Sequence, residues 1–211
     1  MSLKQKLLES AKATQIPEGE SGLWRVKKLR LNGAVNVTRH GKAVCLGPGV
    51  FTQLFRYTSA QPFETGLGEC VMEDSIYELR THLHFMLKAF GDVLITGLGL
   101  GCVVRGTLAN PAVKSVTVIE RDADVLKLVQ PHMPAAVRII HADAWEWILD
   151  SEEQFDCAWH DLWNDTDAGE PHLAIIHQKV IHASLNRVTG FQGAWAWPRQ
   201  YRKIYAEQNV I

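Results

Sequence analysis

Three glycines and three acids in this chain, Gly97, Gly99, Gly101, Glu120, Asp143 and Asp161, fall where an open α/β sheet gathers its functional residues. The apolar run Val93-Leu94-Ile95-Thr96 stops at Gly97-Leu98-Gly99-Leu100-Gly101, a turn like a phosphate loop but without its lysine. Glycines there let the chain reverse at positive φ and let backbone approach a ligand, and a helix starting at Cys102 would face that ligand with free N–H groups. A second apolar run, Val116-Thr117-Val118-Ile119, ends at Glu120. An acid about twenty residues beyond the glycines stands where the two hydroxyls of a ribose need a bidentate acceptor. Asp143 follows a third apolar run at 137–140, and Asp161 follows a fourth, Phe155-Asp156-Cys157-Ala158-Trp159. A carboxylate at the end of that fourth strand can take a proton from an amine or hydroxyl nucleophile and hold its developing positive charge. The residues read as a nucleoside-binding βαβ unit with chemistry at its fourth strand. The alternative is a glycine-rich strand-to-helix turn that holds no ligand.

The glycine spacing bears on which nucleoside. A G-x-G-x-x-G fingerprint would put its third glycine on Cys102, and no arginine or lysine is placed for a pyrophosphate, so a dinucleotide is disfavoured. In order, VLITGLGLG, VTVIERD, IIHADAWEWI and FDCAWHDLW resemble the four cofactor-binding segments of class I S-adenosylmethionine-dependent methyltransferases, especially their aminopropyltransferase (spermidine-synthase-like) branch. The chain also resembles small methyltransferase-like proteins of bacteria and their phages. These share the GLGLG turn, a segment like Trp159-His160-Asp161-Leu162-Trp163, and a tail like Phe191-Gln192-Gly193-Ala194-Trp195. The resemblance implies S-adenosylmethionine as cofactor. It implies that Gly97, Gly99 and Gly101 pass the methionine moiety, that Glu120, with Asp122 beside it, takes the ribose hydroxyls, and that Asp143, with Ala144 beside it, meets the adenine amino group. Asp161 would sit at the reaction centre, with His160 setting its protonation and Trp163 helping to enclose a cationic substrate.

The activity so implied is methyl transfer, or the related aminopropyl transfer, to an unidentified small acceptor. Two departures are visible: the Asn/Asp-Pro-Pro-Tyr signature of many amino-methylating enzymes is absent, as are the further acid and proline that follow the aspartate in aminopropyltransferases. The alternative is a binding or structural protein that keeps the fold without turnover; Thr96, where an acid usually precedes the turn, favours it. An NAD-dependent oxidoreductase comes third, because of the glycine spacing. No metal is expected, since His160, Asp161, Asp165, Asp167 and His172 lack a fixed ligand spacing.

The elements that must position these residues give an α/β fold, a doubly wound Rossmann-like and mostly parallel sheet shortened at its C-terminal side, preceded by a small N-terminal β-module. The expected division is residues 1–70 for an N-terminal helix and antiparallel module, and 71–211 for the nucleoside-binding domain. Residues 3–13 suit a helix and 16–22 a turn-rich break. Short strands follow at 24–26, 29–31, 34–37 and 43–46. Residues 57–72 read as a loop long enough to close a pocket. Glu73-Asp74-Ser75 starts a helix with Ile76, Leu79, Leu83, Met86 and Phe90 on one face, ended by Gly91. His82 and His84, two apart on it, point to different sides. Asp122 opens a helix to about residue 130, and Asp143 can both cap a helix at 144–149 and serve a ligand. Trp145 and Trp147 either stack on adenine or anchor packing. Beyond Thr166, a helix at 173–186 and a strand at 191–197 leave no room for a full seven-stranded sheet.

Composition narrows the partners. The 211 residues, 46% hydrophobic, suffice for one ordinary domain and an appendage. A net charge of −1 with mixed signs gives no electrostatic reason to expect nucleic acid, and Arg25, Lys27, Lys28 and Arg30 read as a solvated strand face. Cys45, Cys70, Cys102 and Cys157 are scattered, which suits a reducing cytoplasm, with Cys102 and Cys157 in segments that read as buried. The polar start and the lack of a long apolar run point away from a membrane. The expected partners are a small-molecule acceptor and, by the resemblance, a second copy of the chain through the N-terminal β-module.

Overall fold

The computed structural model of the chain describes residues 1–39, 42–58, 68–162 and 187–195. It opens with α1 (Leu3–Ser10), set by a capping box in which Ser2 Oγ accepts from the Gln5 amide and the Gln5 side chain accepts from the Ser2 amide. Three strands then build an antiparallel sheet with a fourth from further on: β1 (Gly19–Ser21), β2 (Trp24–Leu31), β5 (Gly49–Arg56) and β6 (Glu69–Glu73), in the order β1-β2-β5-β6. Between β2 and β5 the chain makes a separate hairpin of β3 (Val35–Arg39) and β4 (Lys42–Leu46).

This sheet corrects three expectations. The two short strands at 24–26 and 29–31 are one, because all eight residues of β2 pair with β5. The break at 16–22 contains β1, whose three residues pair with β2, so its conformation comes from the neighbouring ladder and not from its own polar sequence. The loop at 57–72 ends in β6, which pairs with β5 through Met72 and Cys70; five residues beside Gly68 are too few to show a period of two. The domain boundary expected at residue 70 falls within β6.

The basic residues of β2 do not form one face. Arg25 pairs with Glu20 at 2.9 Å, Lys27 lies over the Phe55 ring at 4.8 Å, and Lys28 donates to Thr52 Oγ1 and the Thr14 carbonyl.

A parallel sheet follows, built from β7 (Gly91–Thr96), β8 (Val113–Glu120), β9 (Val137–His141), β10 (Phe155–His160) and β11 (Val188–Ala194), in the order β11-β10-β7-β8-β9. The helices are α2 (Ile76–Lys88), α3 (Cys102–Leu108), α4 (Ala123–Val129) and α5 (Ala144–Asp150). The doubly wound Rossmann-like expectation therefore holds. Beginning at β7, the chain fills the sheet first towards β9 and then, from β10, on the other side. Such a reversal leaves a crevice at the carboxyl ends of the two central strands. β11 begins three residues before the expected strand and ends at Ala194; the helix expected at 173–186, and Trp197, lie outside the described residues.

α2 packs Leu79, Leu83 and Met86 on the sheet, with Ser75 as its N-cap. His82 is buried and His84 exposed, so they do point to different sides. One hydrophobic cluster joins Leu7, Val26 and Leu54 of the first part of the chain to Met86, Val93, Ile95, Val104 and Cys157 of the second. Arg105 stitches the same junction: its Nε donates to the Lys12 carbonyl and its Nη2 to that of Leu100. Cys102 and Cys157 are buried, as expected, and no disulfide joins any of the four cysteines. No helix among the described residues is long and apolar enough to cross a membrane.

Candidate functional site

A cavity of about 280 Å³ opens at the carboxyl ends of β7, β8 and β10. The parallel sheet contributes Gly97, Gly99, Glu120, Arg121, Asp122, Asp143, Ala144, Trp145, Asp161 and Leu162 to its walls. The antiparallel sheet contributes Trp24, Leu54, Arg56, Val71 and Met72, and Glu78, Ile119, Val125 and Trp195 complete it among the described residues. Seven of the eight residues expected to bind a cofactor are thus gathered at one place. Gly101 is the exception: at φ 68 it caps α3, and its bare Cα makes room for Met133 and Arg105.

The turn is fastened mainly by β8 and β6. The Gly97 amide donates to the Ile119 carbonyl, Leu98 to Glu120 Oε2 at 2.8 Å, Leu100 to Met72 Sδ at 3.2 Å, and Gly101 to the Leu98 carbonyl. These four amides of the turn are engaged within the protein, because β8 lies next to β7 and its terminal acid reaches back to the turn.

Glu120 also accepts from the Asp122 amide, through Oε1 at 2.8 Å. A carboxylate oxygen has two lone pairs, so each keeps one for a hydroxyl donor. Asp122 is more fully engaged: Oδ1 caps α4 by accepting from Asp124 and Val125, and Oδ2 accepts from Trp24 Nε1 at 2.6 Å. Asp143 caps α5 through Oδ1 and holds Oδ2 3.9 Å from Arg121, so its capping role is realised with an oxygen left towards the cavity. Trp145 lines the cavity, whereas Trp147 packs against Phe155 at 6.1 Å.

Asp161 follows β10 directly. Its amide donates to the Thr96 carbonyl at 2.8 Å and its own carbonyl lies against Gly97. The side chain lines the cavity and is half-buried. Burial pushes its carboxyl up to about 6; His82 opposes this, and Glu78 and Glu120 add to it.

His160 points away. It is fully buried and absent from the cavity wall, with Nδ1 3.0 Å from Thr96 Oγ1 and Nε2 3.0 Å from Gln192 Oε1. An amide oxygen only accepts, so Nε2 carries the proton and Nδ1 accepts from the threonine. Burial holds the imidazole down at about 4, against the pull of the Gln192 hydrogen bond, which leaves it neutral near pH 7. It ties β7, β10 and β11 together. Trp163, Asp165, Asp167 and His172 lie outside the described residues.

Sequence reasoning missed Glu78, Met72, Trp24, Arg56 and Trp195 as cavity residues. Trp195 carried a signal as part of the tail segment, and Met72 as the end of the loop read as able to close a pocket; the others reach the site through tertiary packing.

The sheet order, the site at its carboxyl edge and the preceding antiparallel sheet define the Rossmann-like fold of class I methyltransferases in its spermidine-synthase-like form. A solved spermidine synthase in complex with the transition-state analogue AdoDATO superposes with a TM-score of 0.50 at 17% identity, covering 85% of this chain and 57% of that one. In sequence, the chain is 32% identical over 105 residues to polyamine aminopropyltransferase 2 of Caldanaerobacter subterraneus, a match covering 46% of this chain and 34% of the relative. It is 24% identical over 159 residues to polyamine aminopropyltransferase 1 of Streptomyces coelicolor, covering 68% and 29%. The matches thus span about a third of the length of these curated relatives. No family model matches the chain.

Proposed function

We propose that the protein binds S-adenosylmethionine or its decarboxylated form and transfers an alkyl group, methyl or aminopropyl, to a small acceptor. The observation that carries this reading is the charge of the cavity: its walls hold the carboxylates of Glu78, Glu120, Asp122, Asp143 and Asp161 against the guanidinium groups of Arg56 and Arg121, with no lysine among the described residues. Such a site suits a cationic sulfonium and repels the pyrophosphate of NAD. The residues fit the cofactor in kind, since Glu120 keeps a lone pair on each oxygen for ribose hydroxyls and Asp143 keeps Oδ2 for an amine donor. When bound, the cofactor supplies an electrophilic carbon on sulfur. Asp161 takes the proton of the attacking amine or hydroxyl, a role that a carboxyl near 6 can fill in both directions around neutral pH. His160, with both nitrogens engaged, acts by holding the strands that present Asp161.

The test is calorimetric titration with S-adenosylmethionine, its decarboxylated form and NAD, followed by assay of the sulfur-containing product with amine and hydroxyl acceptors. Binding of a sulfonium ligand without NAD binding is expected. In Glu120→Ala the affinity falls by about 1–3 kcal/mol, and the freed Leu98 and Asp122 amides lower the melting temperature as well. NAD binding as tight as the sulfonium ligand rejects the reading; sulfonium binding with no product from any acceptor favours a binding protein that kept the fold without turnover.

A further inference from the structure

Beneath the cavity, on its α2 side, lies a cluster of polar groups that the proposed chemistry does not use. Glu78 lines the cavity yet is only 5% exposed. One turn further along α2, His82 is 1% exposed and sets Nε2 3.8 Å from Glu78 Oε1. Trp159, two residues before Asp161, meets the imidazole edge to face, with ring centroids 5.7 Å apart. Neither ring nitrogen of His82, nor Trp159 Nε1, has a hydrogen-bond partner among the described residues. Buried polar groups in native proteins are rarely left so, and an unsatisfied imidazole beside a buried acid needs an account. A histidine on a core-facing helix stripe would be replaceable by any apolar residue if packing were its only use.

We propose that the Glu78–His82 pair sets the charge of Asp161, with His82 a positioning residue that acts through Glu78. The inference rests on the alkyl-transfer reading for its purpose. In that reaction the new bond from nucleophile to carbon forms as the carbon–sulfur bond breaks. The electron pair stays on sulfur, which becomes a neutral thioether, and the proton of the nucleophile goes to the Asp161 carboxylate. Asp161 must therefore be ionised before the step and able to hold a proton after it.

Two carboxylates facing one cavity oppose each other's ionisation, and an imidazole behind one of them offsets that opposition. The groups that bear on Asp161 have these signs: Glu78 of α2 and Glu120 after β8 raise its carboxyl, and His82 of α2 lowers it. His160, its chain neighbour, is turned to Thr96 and Gln192. The side chain of Glu78 needs to move by less than 1 Å to bring Oε1 within hydrogen-bond reach of His82. The pair can thus hold the Glu78 charge towards Asp161 or draw it back.

The experiment is a pH titration of the Asp161 carboxyl carbon by NMR on the ligand-free protein, with Asp161→Asn used to assign the resonance. The two neighbours are expected to move the midpoint in opposite directions. His82→Gln shifts it up, because the imidazole that opposes Glu78 and Glu120 is lost. Glu78→Gln shifts it down, because a like charge is lost. A role in packing alone would lower the melting temperature of both variants without opposite shifts. The coupling is also read without touching His82, from its ring nitrogen shifts against pH in the wild type and in Glu78→Gln. An unmoved midpoint in His82→Gln, or shifts of one sign in both variants, overturns the proposal; if His82→Gln does not fold, a His82 titration indifferent to Glu78→Gln overturns it. Because no cofactor is present, the inference can fail while sulfonium binding stands, and the reverse.

Discussion

Asp161→Asn is expected to keep the affinity for the sulfonium cofactor close to that of the wild type and to lower turnover by roughly 10²–10⁴-fold, the range a positioned general base supplies. Asn has nearly the same shape and cannot take the proton, so the loss falls on rate. The same variant carries a second signature, in stability. A carboxyl whose folded value is raised from 3.8 to about 6 makes the folded state the tighter proton binder. Its contribution is fully present below pH 3.8 and is lost as the pH rises through about 6, so at pH 8 the wild type bears the cost of a desolvated charge. Asn removes that cost. Asp161→Asn is therefore expected to be more stable than the wild type at pH 8, by about 1–3 kcal/mol, with the gap closing by pH 4. A structural carboxylate that capped the turn after β10 would give the opposite sign, with a melting temperature below the wild type at pH 8. Full activity in a stable Asp161→Asn protein removes this residue from the mechanism.

What the sequence showed and what it hid divide along a physical line. Buried parallel strands announce themselves as apolar runs, and a site at their carboxyl ends follows from where each run stops. Gly97, Glu120, Asp143 and Asp161 were legible for that reason, and the structure brings all four to one cavity. Elements whose conformation depends on a neighbour were not. β1 and β6 are strands because β2 and β5 offer them a ladder, and nothing in Gly19-Glu20-Ser21 says so. Which residues of the antiparallel strands and of α2 face the cavity was hidden for the same reason: Trp24 and Arg56 arrive on antiparallel strands, and Glu78 on a helix whose pattern reads only as amphipathic. Position also says little about how much of a side chain is already spent. Asp122 and His160 were read as site residues from their neighbours, yet the first accepts three hydrogen bonds within the protein and the second has both ring nitrogens engaged.

Gly97→Ala is expected to be the most damaging single substitution of the turn. Gly97 has φ 92, a conformation that side chains of L-residues rarely adopt, and this alone costs about 1–3 kcal/mol. The position of its missing side chain decides the rest. A Cβ there would run into the backbone carbonyl oxygen of Asp161 and lie 2.9 Å from the carbonyl carbon. Backbone cannot swing aside as a side chain can. That same backbone is held in place by the hydrogen bond from the Asp161 amide to the Thr96 carbonyl, so relief of the clash must part β7 from the end of β10. Gly99 provides the internal control. Its φ of 50 carries a comparable conformational penalty, but a Cβ there meets Met72 Sδ at 2.7 Å, the far end of a flexible side chain that can retreat into the cavity. Gly99→Val is accordingly expected to fold and to lose cofactor affinity, as Met72 is pushed into the ligand space. Gly97→Ala is expected to lose about 4 kcal/mol or more, a melting temperature lower by at least about 8 °C at 2–4 °C per kcal/mol, and turnover together with stability. Thermal melts of both variants, with affinity measured on whatever remains folded, make the comparison. If Gly97→Ala melts within about 2 °C of the wild type, Asp161 is not held by the turn and its placement in the cavity has another cause.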